Sequence, residues 1–106
     1  MGARVFGWEE RILIGRDEFA ARKRLLESRG LSVPEREDIV LGLFENDSLV
    51  ATGSLVGSVL QGIAVTDACE GEGAAAAIVS SLIRRAVEAG KKQLFLYTKT
   101  HEARRF

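Results

Sequence analysis

The residues whose types and spacing could do chemistry cluster in one turn, residues 67–73, with the sequence Asp-Ala-Cys-Glu-Gly-Glu-Gly. An apolar run at residues 63–65 precedes this turn, and an alanine-rich segment beginning at Ala74 follows it. A strand, a glycine-rich turn and a helix in this order can bind an anion, because glycine permits close backbone approach and the first helical N–H groups lack partners. A phosphate there gains charge-assisted hydrogen bonds and a favourable helix dipole. The turn therefore predicts a phosphate-bearing cofactor.

The composition indicates a small globular domain without a general affinity for polyanions. The chain has 106 residues, enough for one domain, and its fifteen basic and fifteen acidic residues cancel. We therefore expect neither nucleic acid nor membrane as a partner. The single cysteine excludes an internal disulfide and a cysteine-based metal site. With no apolar stretch of about 20 residues and no signal-peptide pattern, we expect a cytoplasmic domain without a metal.

The elements that must position the turn form a mixed sheet. Apolar patterning predicts strands at residues 39–44, 49–56 and 59–65, whose short connections require antiparallel pairing. A helix at residues 74–89 then leads to a strand at residues 93–98. That last strand is predicted to pair parallel to the 59–65 strand through a right-handed crossover.

The two ends of the chain are predicted to complete this sheet. Residues 12–14, Ile-Leu-Ile, are expected to be a buried strand end, and a helix from Asp17 is expected to be capped at Gly30. Residues 22–24, Arg-Lys-Arg, are interpreted as a polar helix face. Residues 101–106 are interpreted as the start of a charged helix, which suggests a domain that is truncated at its C-terminus.

The long helix at residues 74–89 has an amphipathic pattern. Val87 is predicted to lie on its buried face, whereas Arg84 and Arg85 are predicted to be exposed.

Gly71, Gly73 and Ala76 also fit the loose dinucleotide-binding pattern, Gly-x-Gly-x-x-Gly/Ala. That pattern expects the turn to open the domain, whereas a predicted antiparallel meander precedes it here. It also expects an acidic residue at the end of the next strand, and residues 97–99 contain none. A Walker phosphate loop is excluded because no Gly-Lys-Ser/Thr sequence follows.

Gly73 and Ala75 match the cofactor motif of the GNAT acyltransferases, which is Arg or Gln, two residues, Gly, one residue, then Gly or Ala. Glu70 departs from this motif at its first position. The chain resembles the GNAT fold throughout, which implies an α/β domain with a mixed, mainly antiparallel sheet and helices on both faces. The resemblance implies acetyl-CoA or CoA as cofactor, with the pyrophosphate on the turn and the pantetheine arm beside the preceding strand. The cofactor-binding residues so implied are Ile63, Ala64, Val65, Gly71, Glu72, Gly73, Ala74 and Ala75.

A longer set of residues is similar to the N-terminal GNAT-like domain of citrate lyase ligase. Its most specific piece is Leu-Phe-Leu-Tyr-Thr-Lys at residues 94–99, and Ala-Thr-Gly-Ser-Leu at residues 51–55 also contributes. In that family, a nucleotidyltransferase-type domain uses ATP to activate acetate. The acetyl group then passes to the CoA-derived prosthetic group of the citrate lyase acyl-carrier subunit. The resemblance implies that residues 1–106 are a single GNAT-like domain, incomplete at the C-terminus, without the nucleotidyltransferase domain of its parent.

Three carboxylates, Asp67, Glu70 and Glu72, are predicted to ring the pyrophosphate site. At roughly 8 Å in a water-like dielectric each repulsion costs about 0.5 kcal/mol, whereas each hydrogen bond to a charged group contributes about 1.5–3 kcal/mol. We therefore expect weak CoA binding that Glu70→Arg strengthens. The alternative is that these acids only stabilise the helix N-terminus.

Acetyl transfer needs a base and donors that stabilise the oxyanion and the leaving thiolate. The predicted strands around the cofactor arm carry no Asp, Glu or His, so Asp67 is the candidate base and Tyr97 the candidate acid. Capping of the turn by Asp67 and packing of Tyr97 are the alternatives. Cys69 is interpreted as incidental and His101 as part of a solvated surface.

These patterns together predict an acetyl-CoA-binding or CoA-binding acetyltransferase domain of a citrate lyase ligase-like enzyme. Two alternatives stay open. One is a non-catalytic docking module for the acyl carrier, and the other is a free-standing small-molecule N-acetyltransferase.

Overall fold

The computed structural model describes residues 3–5, 7–34, 36–97 and 103–105, and these contain one mixed sheet of seven strands. The elements in chain order are β1 (Ala3–Val5), β2 (Trp8–Ile12), α1 (Arg16–Ser28), β3 (Ile39–Glu45), β4 (Ser48–Val56), β5 (Val59–Val65), a 3-10 turn (Asp67–Cys69), α2 (Ala74–Glu88), β6 (Phe95–Tyr97) and β7 (Ala103–Arg105). The strands follow one another across the sheet in chain order. Neighbouring strands pair antiparallel except β5 and β6, which pair parallel.

Strands β3, β4 and β5 form the predicted antiparallel meander. Asn46 and Asp47, between β3 and β4, have φ values of 52° and 67°, and Gly57, between β4 and β5, has a φ of 60°. Positive φ at both central residues is the geometry of a tight hairpin turn. Helix α2 then supplies the crossover to β6. The predicted strand order and directions are confirmed.

The two helices lie on opposite faces of the sheet, as predicted. Successive side chains of a strand point to opposite faces, and Gly53 and Ser54 of β4 show both environments. A Cβ added to Gly53 would lie 2.4 Å from Ile78 of α2. A Cβ added to Gly62, beside the Ser54 hydroxyl, would contact Arg22 of α1. Because both faces are covered, β3 to β5 are near-continuous apolar runs.

The main hydrophobic core lies between the sheet and α2. Its fully buried aliphatic side chains are Leu41, Leu43, Leu55, Leu60, Ile78 and Leu82. A smaller cluster of Leu25, Leu26 and Ala64 packs α1 against the other face. The helix that follows the glycine turn is therefore fixed to the sheet along its length.

Two predictions of burial were wrong. Of residues 12–14 only Leu13 is buried, in a cluster with Val40 and Phe44, whereas Ile14 is 86% exposed. Val87 is 61% exposed, next to the fully buried Ala86. The buried face of α2 runs through Ile78, Leu82 and Ala86 at four-residue spacing, and one further residue turns the side chain about 100° away.

The predicted C-terminal helix was also wrong for residues 103–105, which form β7. This strand pairs antiparallel with β6, and Tyr97 lies opposite Ala103. Pairing satisfies backbone groups that β6 would otherwise present at its outer edge. His101, Glu102 and Phe106 lie outside the described residues.

A buried charge cluster joins β2 to α2. Glu10 is 4% exposed and accepts a hydrogen bond from Arg85 Nη2 at 3.0 Å and another from the Ser81 hydroxyl. Arg84 Nη2 lies 3.8 Å from the same carboxylate. The prediction that Arg85 is exposed was therefore wrong, because a buried carboxylate draws its guanidinium toward the sheet.

Candidate functional site

The turn predicted to bind phosphate lies at the N-terminus of α2. Gly71 and Gly73 have φ values of 82° and 87°, which glycine adopts without a Cβ penalty. A Cβ added at either position would meet no described atom within 4 Å. The turn therefore opens to solvent rather than packing against its own side chains.

The helix presents backbone donors at this turn. The Ala77 N–H donates to the Gly73 carbonyl at 2.9 Å, so the N–H groups of residues 74–76 precede the first helical hydrogen bond. Ala75 and Ala76 are exposed, whereas Ala74 is buried. Glu72 differs from the other predicted donors because its N–H donates to the Cys69 carbonyl at 3.2 Å. The geometry thus favours an anion at the helix terminus over one at Glu72.

The cationic side chain of Arg29, which no sequence pattern indicated, lies beside the turn. Arg29, directly after α1, contacts Asp67 Oδ1 through Nη1 at 2.6 Å and Glu70 Oε2 through Nη2 at 3.4 Å. Two of the three acids predicted to ring the pyrophosphate site, Asp67 and Glu70, are therefore paired with a cation. Arg29 and Asp67 are 38 residues apart in sequence, and no local pattern signals their contact.

Strands β5 and β6 are predicted to separate next to the turn. Their described parallel pairing joins Val59 to Phe95 and Leu60 to Leu96, and residues 98–102, which follow β6 in the chain, lie outside the described part. Farther along, β5 remains paired with β4, with Val65 opposite Ala51. The glycine turn therefore follows the C-terminal end of β5, and the separation of β5 from β6 stays a prediction.

Strand β5 contains a bulge near Gly62. The register between β4 and β5 shifts between Thr52 and Ser54, and Gly62 has a φ of 66°. Such a bulge bends a strand and increases its twist. Past the bulge, Ala64 packs toward α1, whereas Ile63 and Val65 pack toward α2. The side chains of these three predicted cofactor-binding residues therefore pack on the two faces of the sheet.

A buried ion pair supports the bulge from the α1 side. Arg22 is 1% exposed and binds both carboxylate oxygens of Glu37, with Nη1 to Oε1 at 2.8 Å. A Cβ at Gly62 would lie 3.7 Å from Arg22 Nη2 and 3.5 Å from the Ser54 hydroxyl. That hydroxyl donates to the Gln61 carbonyl at 3.0 Å. Arg22 was wrongly predicted to lie on a polar surface, because its partner follows 15 residues later in an irregular segment.

The structure places the remaining predicted site residues at separate positions. The Asp67 side chain is 89% exposed and bound to Arg29. Tyr97 ends β6, with its backbone paired to β7. Cys69 is a buried free thiol in the main core. Among the described residues, no group of three or more His, Cys, Asp or Glu could hold a metal ion.

An antiparallel meander, a bulged strand with a parallel neighbour on its other side and a glycine turn opening a helix are features of the GNAT acyltransferase fold, and this chain has that fold. Eis1 from Mycobacterium abscessus superposes with a TM-score of 0.72 at 17% identity, covering 87% of this chain and 28% of that one. Glucosamine-6-phosphate N-acetyltransferase from Arabidopsis thaliana superposes at 0.70 and 14% identity, covering 87% and 82%. ElaA from Escherichia coli superposes at 0.69 and 16% identity, covering 84% and 76%.

In sequence, the chain is similar to [citrate [pro-3S]-lyase] ligases, which confirms the narrower resemblance. It is 30% identical to the Escherichia coli protein over 77 residues, 73% of this chain and 22% of that relative. It is 28% identical to the Haemophilus influenzae protein over 98 residues, 92% of this chain and 29% of that relative. The chain thus spans about a quarter of the length of these curated relatives. No protein-family model matches the chain.

Neither described helix combines the length and the apolar character that crossing a membrane requires.

Proposed function

We propose that this chain is a CoA-recognising, acetyltransferase-type domain of a citrate lyase ligase-like enzyme. The observation that carries this proposal is the open glycine turn at the N-terminus of α2, shortly after the end of β5. A helix N-terminus with exposed N–H groups suits a pyrophosphate. The sequence similarity to citrate lyase ligases supports the narrower assignment.

In this proposal each part of the site binds a different part of the cofactor. The turn and the start of α2 bind the pyrophosphate through the N–H groups of Gly71, Gly73, Ala74 and Ala75, because the Glu72 N–H already donates to the Cys69 carbonyl. The backbone of residues 63–65 pairs with the amides of the pantetheine arm, as an added strand pairs with a sheet edge. CoA would supply the thiol that carries the acetyl group.

The catalytic roles are proposals that rest on the same placement. A backbone N–H of residues 63–65 would stabilise the oxyanion that forms at the thioester carbonyl. Tyr97 would protonate the thiolate, and Asp67 would accept a proton from the acceptor. The acceptor we propose is the thiol of the CoA-like prosthetic group on the citrate lyase acyl-carrier subunit. ATP-dependent activation of acetate would belong to a nucleotidyltransferase-type domain of the parent protein.

A docking module that only holds the acyl carrier is the second candidate. The placement of Asp67 favours it, because this carboxylate faces solvent at the turn and is paired with Arg29. Residues 61–65, where the proposal places the pantetheine arm, include no titratable side chain that could act as a base. In the docking module the same groove would hold the prosthetic arm without transferring its acyl group.

Titration calorimetry with CoA tests the proposal. The unaltered chain should bind CoA, and Gly73→Ala should weaken binding about tenfold, because a Cβ at a positive φ displaces the donors around it. Gly90→Ala is the matched control. Gly90 has the same φ of 87°, also faces open space, and lies at the opposite end of α2.

Both substitutions should lower the thermal midpoint similarly, and only Gly73→Ala should lower CoA affinity. Equal affinities for CoA in the two variants, or no binding by the folded, unaltered chain, would contradict the proposed site. Binding of the carrier subunit without binding of free CoA would favour the docking module. Thiol release from acetyl-CoA with an amine panel would indicate the small-molecule N-acetyltransferase instead.

A further inference from the structure

We propose that Arg29 contacts the pyrophosphate of the bound cofactor, and that Asp67 and Glu70 are positioning residues that hold its guanidinium at the turn. This inference rests on the proposed function and adds a specificity-determining residue to that site. It assigns a favourable role to the acid at position 70, where the GNAT motif has Arg or Gln.

The contacts fix the guanidinium at both ends of the 3-10 turn. Nη1 lies 2.6 Å from Asp67 Oδ1, at the first residue, and Nη2 lies 3.4 Å from Glu70 Oε2, just past the last. The Arg29 side chain is 35% exposed, so it borders solvent on the same side as these carboxylates. A cation is thereby held at the 3-10 turn, and Glu70, one of its two partners, directly precedes Gly71 of the glycine turn.

The backbone of Arg29 is anchored as well. Its N–H donates to the Leu26 carbonyl at 3.0 Å, and the Leu31 N–H donates to the same carbonyl at 2.9 Å. Gly30, between them, has a φ of 74°, so this is a tight helix C-terminal cap. Leu26 is fully buried against the sheet. The distance from α1 to the turn is therefore set by packing rather than by a mobile loop.

The chemistry of arginine suits this role. A guanidinium carries five N–H donors in a planar fork, which can be shared between carboxylate and phosphate oxygens. Arg29 also lowers the net charge of its group with Asp67 and Glu70 from minus two to minus one. An approaching pyrophosphate would thus meet a positioned donor beside the backbone N–H groups, instead of carboxylates alone.

The two possible roles of Glu70, repelling the phosphate or positioning Arg29, predict opposite effects of Glu70→Gln on CoA affinity. If Glu70 only repelled phosphate, Glu70→Gln would tighten binding. If Glu70 positions Arg29, Glu70→Gln should weaken CoA binding about threefold, and Arg29→Ala should weaken it about tenfold. Arg29→Ala combined with Glu70→Arg should recover most of the affinity, because the cation then stands on the turn itself.

Calorimetric titrations with CoA, 3′-dephospho-CoA and pantetheine separate this role from a structural one. Arg29→Ala should weaken CoA and 3′-dephospho-CoA equally and leave pantetheine, which lacks the pyrophosphate, unchanged. Lys23→Ala, which removes the same charge from an exposed position on α1, should leave all three unchanged. Thermal midpoints would verify that each variant is folded.

The outcomes distinguish this inference from the proposed function. If Gly73→Ala weakens CoA binding and Arg29→Ala does not, the glycine turn stands as the site and the role of Arg29 is overturned. Tighter binding by Glu70→Gln also overturns it, as does equal loss for CoA and pantetheine. If the unaltered chain does not bind CoA, the proposed function and this inference both fail.

Discussion

Glu10 Oε2 lies 3.0 Å from Arg85 Nη2, which ties the second strand of the sheet to the helix that carries the glycine turn. Glu10 is 4% exposed and also accepts a hydrogen bond from Ser81. A buried carboxylate with two such donors is costly to remove, because the donors left behind have lost both their partner and their water. The alignment of α2 on the sheet therefore depends on this contact.

Glu10→Ala should lower the free energy of unfolding by about 3 kcal/mol, because it leaves the Ser81 hydroxyl and the Arg85 guanidinium without their carboxylate. Urea unfolding followed by circular dichroism would measure the loss. Glu27→Ala, at an exposed position of α1, is the control and should change stability by less than about 0.5 kcal/mol. A similar, small effect of both substitutions would show that the cluster contributes little.

Gly53→Ala should destabilise the domain by about 1–3 kcal/mol through overpacking. The added Cβ would lie 2.4 Å from Ile78 Cγ2 and 2.7 Å from Ile63 Cδ1. Leucine lacks the branch methyl at Cγ2, so Ile78→Leu in the same chain should recover part of the loss. Thermal unfolding of the two single variants and the double variant tests this, and purely additive losses would contradict the clash.

Arg22→Ala should lower the free energy of unfolding by about 3–5 kcal/mol, since Glu37 would then keep a largely buried charge without its partner. The double variant Arg22→Met and Glu37→Gln removes both charges and should recover most of that stability. Arg24→Ala, an exposed neighbour on α1, serves as the control. Chemical denaturation measures all of them, and a double variant no more stable than Arg22→Ala would argue against the pairing.

Cys69 should react slowly with thiol reagents in the native protein, because it is 6% exposed and packed in the main core. Denaturant should accelerate labelling by several orders of magnitude, since the thiol becomes reachable only on opening. Reaction with a chromogenic disulfide, followed by absorbance, gives both rates. Rapid native labelling would show that this thiol is accessible enough to carry an acyl group.

Local sequence patterns predicted the meander, the crossover and the glycine turn because each depends on neighbouring residues. The hairpin at Asn46 and Asp47 follows from turn chemistry, and α2 follows from its apolar periodicity. The separation of β5 from β6 beside the turn follows only from the resemblance to a known fold and stays a prediction. The parallel pairing of Val59 with Phe95 and of Leu60 with Leu96 is a property of the whole sheet, which no local pattern determines.

The polar contacts around the site could not be predicted in this way. Glu10 and Ser81 are 71 residues apart, and Arg29 and Glu70 are 41 apart. Charged side chains leave no periodic signal that identifies a distant partner, so the contacts of Arg29 with Asp67 and Glu70 could not be predicted. The exposure of Val87 shows a related limit, because an apolar residue at the margin of a helical stripe can face either side.

Strand β6 offers a way to measure whether the proposed cofactor site is occupied. Phe95 and Leu96 align with the start of β5, and the Phe95 N–H donates to the Ser58 carbonyl at 2.9 Å. A pantetheine arm of CoA that pairs with residues 63–65, as proposed, would lie between β5 and the end of β6. Amide hydrogen exchange at β6 should then slow when CoA is added, even though β6 lies beyond the helix that bears the phosphate turn.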